Sequence, residues 1–242
     1  MNRSEGTPAI KVVGLHKDFG DYPVLRGLNL TVEWGRLLVI FGANGSGKTT
    51  LLKLLATQYR PDRGEIWVGG IRRSQDPVAI RRIIGVVAHQ PMLYQDMTCQ
   101  ENLTFFGRMH GLDDIPRRID DVLHKVGLEV RRHQRVRTLS HGMQKRLAIG
   151  RAILHDPPIL LMDEPESGLD QEALASMGDL LRMEAGSNRT AVMTTHNVDR
   201  GLAWGQEVAV LSDGVIAYKA DRDSLDEGRF RGTYLKQIEV AP

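Results

Sequence analysis

With 242 residues, the chain can bury the core of one sizeable α/β domain, or of one domain with an appended lobe, without disulfides or a structural metal. Lysine and arginine number 32 against 30 aspartates and glutamates, a formal balance of +2 that is too even for a general nucleic-acid binder. Cys99 is the single cysteine, which excludes an intrachain disulfide and fits a reducing compartment.

The opening MNRSEGTPAIK is polar and lacks the apolar stretch of a secretion signal. Short strands are predicted at Ile10–Val13, at Gly27–Val32, where Leu28, Leu30 and Val32 alternate, and at the continuous apolar run Leu37–Phe41. Alternation predicts a sheet with one wet face, whereas the continuous run predicts a strand buried on both faces. After Gly47, KTTLLKLLATQY has helical spacing, stopped by a turn at Pro61, Asp62 and Gly64 before the strand-like Glu65–Val68. The middle third, about residues 92–155, reads as helical. There Ile115, Ile119, Val122, Leu123 and Val126 share one face opposite Arg117, Arg118, Asp120 and Asp121. Arg131, Arg132, Arg135 and Arg137 form a basic cluster without interleaved aromatics, read as a solvated face. Two further buried strands, Ile159–Met162 and Thr190–Thr194, flank a predicted helix at Asp170–Met183, an order that favours a parallel sheet with right-handed crossovers. No internal repeat is present, and the stretch after Asp221 reads as a charged tail. The apolar runs are far shorter than the ~20 residues that cross a bilayer, so the chain is expected in the cytoplasm, reaching any membrane through a partner.

The strongest chemical signal is Gly42, Ala43, Asn44, Gly45, Ser46, Gly47, Lys48, Thr49 and Thr50, which fits G-x-x-x-x-G-K-[ST] between a buried-strand run and a helical run. Glycines let successive backbone N–H groups turn inward around phosphate oxygens, and the following helix adds its positive end. Lys48 is expected near the β- and γ-phosphates, with the Thr49 hydroxyl on Mg²⁺. The second signal is the apolar strand that ends in Asp163 and Glu164, which delivers two carboxylates to the carboxyl edge of a parallel sheet. Asp163 is expected to hold the metal through a water, and Glu164 to polarise the water that attacks the γ-phosphate.

With these motifs the sequence resembles the ATP-binding-cassette ATPases from Ile10 to about Tyr218. Leu139-Ser140-His141-Gly142-Met143 sits where that family carries Leu-Ser-Gly-Gly-Gln. Gln90 falls at the glutamine loop, Ser167-Gly168-Leu169-Asp170 at the loop after the acid pair, and His196 at the switch histidine. Phe19 occupies the position of the aromatic ring that stacks on adenine. The resemblance implies a P-loop NTPase with a RecA-like parallel-sheet core, an N-terminal antiparallel β subdomain, and a helical subdomain inserted between phosphate loop and signature. It implies an ATP-binding domain over residues 8–220, with the helical part at about 92–155 and a tail at 221–242. It also implies ATP and Mg²⁺ as ligands, with Thr49, Gln90 and Asp163 around the metal, and Glu164, His196 and Lys48 as catalytic groups. Asp170, Ser140 and Gly142 are implied to contact nucleotide.

In the family the signature binds the γ-phosphate held by the other subunit, so two copies are implied to sandwich two ATP molecules head to tail. His141 and Met143 depart from the usual signature. Ser140 and Gly142 keep their donors, and Met143 removes an amide, so weaker or retuned closure is expected. Gln90 is implied to relay the presence of γ-phosphate to an integral membrane permease, with the chain peripheral on the cytoplasmic face of the cell membrane.

A finer likeness lies in Ala88-His89-Gln90-Pro91-Met92-Leu93-Tyr94-Gln95-Asp96-Met97-Thr98, in Glu101-Asn102-Leu103, and in Arg135 to Ser140. These resemble the ATPase subunits of heme exporters that serve cytochrome c maturation. Another export ATPase, of drug, lipid or polysaccharide type, is the alternative. His89, Met92, Met97, Met109 and His110 show no heme-ligand spacing, and no Cys-x-x-Cys-His motif is present. A small-molecule kinase would share the phosphate loop but leave Leu139–Met143 and His196 unexplained. A ribosome- or DNA-directed cassette ATPase would carry a second cassette or a long coiled-coil insertion, and neither is present.

Overall fold

A computed structural model describes residues 6–169, 174, 189–228, 230–232 and 234. The predicted helix at Asp170–Met183 and the expected nucleotide contact Asp170 lie outside them, apart from Leu174.

The chain opens with β1 (Ile10–Phe19) and β2 (Tyr22–Val32), an antiparallel hairpin closed at Phe19 opposite Tyr22. Gly20, at φ 62°, supplies the left-handed backbone that so tight a turn requires. β1 runs six residues past the predicted end at Val13. Gly14, at φ 57°, sits in a register shift between Val12 and Leu15, so the alternation breaks in the sequence while the strand continues through a bulge. β4 (Arg63–Val68) pairs with the other edge of β1, and β5 (Ile71–Arg72) completes a four-stranded antiparallel sheet in the order β2-β1-β4-β5.

The second sheet has six strands in the order β10-β9-β3-β8-β7-β6. They are β3 (Leu37–Phe41), β6 (Ile84–Val87), β7 (Ile159–Asp163), β8 (Thr190–Thr195), β9 (Glu207–Ser212) and β10 (Val215–Asp221). All neighbours run parallel except β9 and β10. Every residue of β3 is buried, and its side chains divide by the period of two between the sheet's faces. Leu37, Val39 and Phe41 enter the core under the helices, whereas Leu38 and Ile40 enter the core shared with the antiparallel sheet. This is the α/β architecture expected of a phosphate-loop ATPase. β5, β6, β9, β10 and the short helices α2 (Pro77–Ile83) and α6 (Val198–Trp204) were not predicted.

α1 (Lys48–Leu55) follows β3 and stops at Leu55, because Thr57 turns at φ 63°. The middle third holds α3 (Cys99–Met109), α4 (Ile115–Lys125) and α5 (His141–Ile153). α3 starts at a reciprocal cap between Thr98 and Glu101, worth about 1 kcal/mol. On α4 the predicted face is the buried one, with Ile119, Val122 and Leu123 in the core and Val126 just beyond the helix. Gly150 of α5 lets that face approach, since a Cβ there would lie 2.9 Å from Val122 Cγ1.

The stretch after Asp221 is no mere charged tail, because Phe230 and Tyr234 are 1% and 4% exposed. Their rings lie 5.3 and 5.8 Å from that of Phe41, at the end of β3.

At the junction of α3, α5 and β6, the rings of His110 and His155 stack with centroids 3.8 Å apart. The His155 ring is 3.0 Å from Ile84 O through Nε2. Burial, followed by His110, presses its pKa down from 6.5 to about 4, with Arg189 adding to the effect and Asp156 opposing it. The native state therefore holds this base neutral, whereas the unfolded chain takes up its proton near pH 6.5. Stability is expected to be intact above that pH and to fall between about 6.5 and 4, by up to roughly 3 kcal/mol. Urea unfolding across this range measures the slope, which His155→Gln is expected to reduce because its amide does not titrate.

Candidate active site

Parallel strands place their carboxyl ends at one edge, and here the ends of β3, β7 and β8 bring together the loop Gly42–Gly47, the acid pair Asp163 and Glu164, and His196. Gly45 and Gly47 take φ 83° and 104°, backbone that a side chain at either position would strain. A Cβ on Gly42 would lie 2.5 Å from both Leu211 O and Ser46 Oγ, and one on Gly47 2.9 Å from Leu25. The loop is thus held closely from behind while Asn44 and Gly45 are exposed in front. Ser46 Oγ is buried without a hydrogen-bond partner, an orphan donor in the phosphate-loop segment.

Lys48 is 6% exposed and its ammonium donates to Gly42 O at 2.8 Å and Ala43 O at 2.9 Å. Burial lowers its pKa, while the charges of Glu164 and Asp163 raise it in opposition. The ammonium therefore lies folded back on its own loop, with carboxylates near enough to support its charge.

Asp163 closes β7. Its Oδ2 accepts from the Thr49 hydroxyl at 2.9 Å and its Oδ1 from the Thr194 hydroxyl at 2.7 Å. Thr49, Asp163 and Gln90 line one cavity of about 500 Å³, with Leu52, Met92 and Leu161 on its apolar wall. A hydroxyl, a carboxylate and an amide carbonyl are hard oxygen donors, and this set fits Mg²⁺. Thr50 lies half-buried in α1, one residue beyond.

Glu164 takes φ 45°, a left-handed conformation unusual for its type, and its N–H donates to both Thr194 O and Thr194 Oγ1 at 3.2 Å. Its carboxylate meets a different partner from those of Asp163. Glu164 Oε1 is 3.3 Å from Nδ1 of His196, whose side chain is 60% exposed. Tyr234 donates at 3.5 Å to the carbonyl of the same histidine.

Phe19 ends β1 and is 43% exposed. Tyr59 meets it edge-on at 5.5 Å, and the Lys17 ammonium lies 5.3 Å from its centroid, so the ring is braced on two sides.

Ser140 and Gly142 stand at the start of α5, where a Cβ on Gly142 would lie 3.6 Å from Gly168 O. Ser140 caps α5, its Oγ accepting from Met143 N at 3.3 Å, and no hydrogen bond or ion pair joins either residue to Gly42–Thr50 among the described residues. The His141 ring packs on the loop after the acid pair, where a Cβ on Gly168 would lie 2.5 Å from its Nδ1.

Four residues of this region had no role at the site in the sequence reading: Thr194, read only as the end of a strand, and Thr195, Glu166 and Lys145. The threonines directly precede His196 at the end of a buried strand, and that position was their only signal. Asn102, by contrast, was visible only as part of a resemblance and now has a physical role. Its buried amide accepts from Tyr94 N at 2.9 Å and donates to Tyr94 O at 3.0 Å, fixing the segment after Gln90.

A family model described as "ABC transporter" matches residues 25–167. The ABC transporter ATP-binding protein NatA of Bacillus subtilis (strain 168) is 34% identical over 206 residues, 84% of this chain and 84% of that protein. The human phospholipid-transporting ATPase ABCA3 is 36% identical over 213 residues, of which this chain spans only 12% of the length. The daunorubicin resistance ATP-binding protein DrrA3 of Streptomyces coeruleorubidus is 33% identical over 219 residues, 90% of this chain and 69% of that protein. Among solved structures, a dimeric post-hydrolysis state of the ATP-binding cassette MJ0796 bound to ADP and Pi superposes with a TM-score of 0.82. It is 26% identical and covers 89% of this chain and 100% of its own. On these matches, and on a site that joins a phosphate loop to an acid pair at one sheet edge, the chain belongs to the ABC transporter family and is an ATP-binding, ATP-hydrolysing member of it.

Proposed function

We propose that the chain is the ATPase of an exporter, working as an ATP-sandwich dimer on the cytoplasmic face of the cell membrane beneath a separate permease. The observation that carries this reading is spatial. Lys48, Thr49, Asp163 and Glu164 converge at one edge, while the donor-bearing cap Ser140 is exposed at the start of α5 and makes no hydrogen bond to Gly42–Thr50 among the described residues. Half a site at each of two places is completed when a second copy is turned about a two-fold axis. The dimeric state of the structural relative supports this arrangement.

In this mechanism the N–H groups of Gly45 to Lys48, the free Ser46 hydroxyl and the start of α1 receive the phosphates. Lys48 exchanges its two loop carbonyls for β- and γ-phosphate oxygens. Thr49, Asp163 and Gln90 would hold Mg²⁺, which supplies charge neutralisation across the phosphates. Glu164 takes a proton from the attacking water, and His196 orients that carboxylate and the γ-phosphate. Phe19 offers its open face to adenine, and Ser140, Gly142 and Asp170 of the partner subunit close over the phosphate tail. Residues 8–220 form the ATP-binding domain in this reading, with about 92–155 as its moving lobe and 221–242 following it. No helix among the described residues is long and apolar enough to cross a membrane.

For the cargo, lipid or drug export fits better than heme. The matched relatives are named for phospholipid transport and daunorubicin resistance, whereas the heme-export likeness rests on Ala88 to Thr98, on Glu101 to Leu103 and on the run before Ser140.

Cysteines introduced at the exposed Asn44 and His141 test the dimer, and the buried Cys99 does not compete for crosslinker. An interprotomer product is expected with ATP and not without nucleotide. No such product in any nucleotide state, with the protein folded and nucleotide bound, would sink the proposal. Purification of the tagged chain from detergent extract is expected to bring down one integral membrane protein.

A further inference from the structure

The segment that carries Gln90 is held in place from outside itself. From His89 to Leu93 no backbone group bonds to another backbone group among the described residues. The carbonyls on and around it are met instead by side chains of α5. Arg151 donates from Nη2 to Val86 O at 2.6 Å and from Nη1 to Met92 O at 3.1 Å, so one guanidinium spans the base of the loop. Val86 belongs to β6, the edge strand of its sheet. Met92 takes φ 50°, left-handed backbone that its own side chain, 52% exposed, does nothing to enforce. Lys145 touches the middle of the loop through two longer contacts, 3.4 Å to Ala88 O and 3.5 Å to His89 O.

The guanidinium is itself fixed, because the ring of Phe106 on α3 lies against it with its centroid 5.2 Å from Cζ. Burial presses its pKa down to about 10, so it is charged at neutral pH, and no carboxylate pairs with it among the described residues. Its donors go to the two ends of one loop, a span that a planar fork makes from two nitrogens at once. Gln90 lies between these anchors, exposed, and lines the same cavity as Thr49 and Asp163. Its amide makes no hydrogen bond among the described residues, so nothing but the shape of the loop decides where it stands.

We propose that Arg151 is a positioning residue for the Mg²⁺ site: by pinning Val86 O and Met92 O with one guanidinium it closes the base of the loop and sets Gln90 opposite Thr49 and Asp163. This role deepens the function proposed above and rests on the place given there to Gln90 on the metal. Arg151 acts only through the loop. Without internal bonds, the loop takes the shape its ends impose, and releasing those ends spreads Gln90 over many positions. Groups that orient a metal ligand from behind typically govern metal affinity or activity by about 10- to 100-fold.

The test is a double-mutant cycle on Arg151→Gln and Gln90→Ala. In Arg151→Gln the Mg²⁺ concentration that half-saturates ATP turnover is expected to rise about tenfold or more, with the Kd for ATP in EDTA within about threefold of the parent. The double variant is expected to match Gln90→Ala within about twofold, because a residue that acts through Gln90 then has nothing left to position. In the nucleotide-free protein, amide exchange across residues 87–93 is expected to quicken about tenfold or more in Arg151→Gln while β3 and β7 keep the parent's protection, which separates a released loop from a loosened fold. Should Arg151→Gln not fold, Arg151→Lys, which keeps the charge but offers one nitrogen in place of two, carries the comparison. An unchanged Mg²⁺ requirement, unchanged exchange in the loop, or losses that multiply in the double variant would each overturn the role of Arg151. If Gln90→Ala alone leaves the Mg²⁺ requirement where it was, Gln90 is not on the metal and the reading beneath fails with it. If Gln90→Ala raises that requirement while Arg151→Gln does not, only Arg151 loses its role.

Discussion

Glu164→Gln is expected to lower ATP turnover by about 10²- to 10⁴-fold while leaving ATP affinity within a few-fold of the parent. The substitution keeps the side chain's volume and its reach toward His196 but removes the base that accepts a proton from water. Nothing in the backbone has to change, because the left-handed turn at φ 45° is held by two bonds from the Glu164 N–H to Thr194. With hydrolysis blocked and both phosphate-binding halves intact, ATP is expected to hold two protomers together. Phosphate release measures the first effect, and size-exclusion chromatography with ATP measures the second. A variant that hydrolyses within tenfold of the parent would remove Glu164 from the role of base and turn attention to Glu166, the next carboxylate along the chain.

Lys48→Met is expected to act on the other half of the event, raising the Kd for ATP by about 100-fold or more, because a buried ammonium paired with phosphate is among the stronger charge-assisted contacts. The parent lysine already lies in the site with its charge supported by Glu164 and Asp163, so little reorganisation opposes its transfer to phosphate. Lys48→Arg is not expected to rescue binding. The side chain is 6% exposed and ends at two carbonyls of its own loop, a setting suited to a compact point charge rather than a planar fork. Titration with a fluorescent ATP analogue reads both variants. Affinity unchanged in Lys48→Met would mean that nucleotide binds elsewhere.

What could be read from the residues alone divides along physical lines. Leu37–Phe41 and Ile159–Asp163 were legible because a strand buried on both faces must be apolar throughout, and their ends led directly to the phosphate loop and the acid pair. The length of β1 was hidden by Gly14, where a bulge interrupts the pattern without ending the strand. β9 passed unnoticed although it is buried from Glu207 to Leu211, because the glutamate at its start masks the run. Glu207 is held there by the Lys219 ammonium of the neighbouring strand, 2.8 Å away. Lys145 and Glu166 were illegible in principle. A charged residue reads as surface until residues distant in the chain enclose it, and here those are the Gln90 loop on one side and Thr195 on the other.

The ring cluster of Phe41, Phe230 and Tyr234 reaches from the end of β3, where the loop Gly42–Gly47 begins, to the backbone of His196. A substitution that removes the Tyr234 ring, such as Tyr234→Ala, is therefore expected to loosen the backbone at His196.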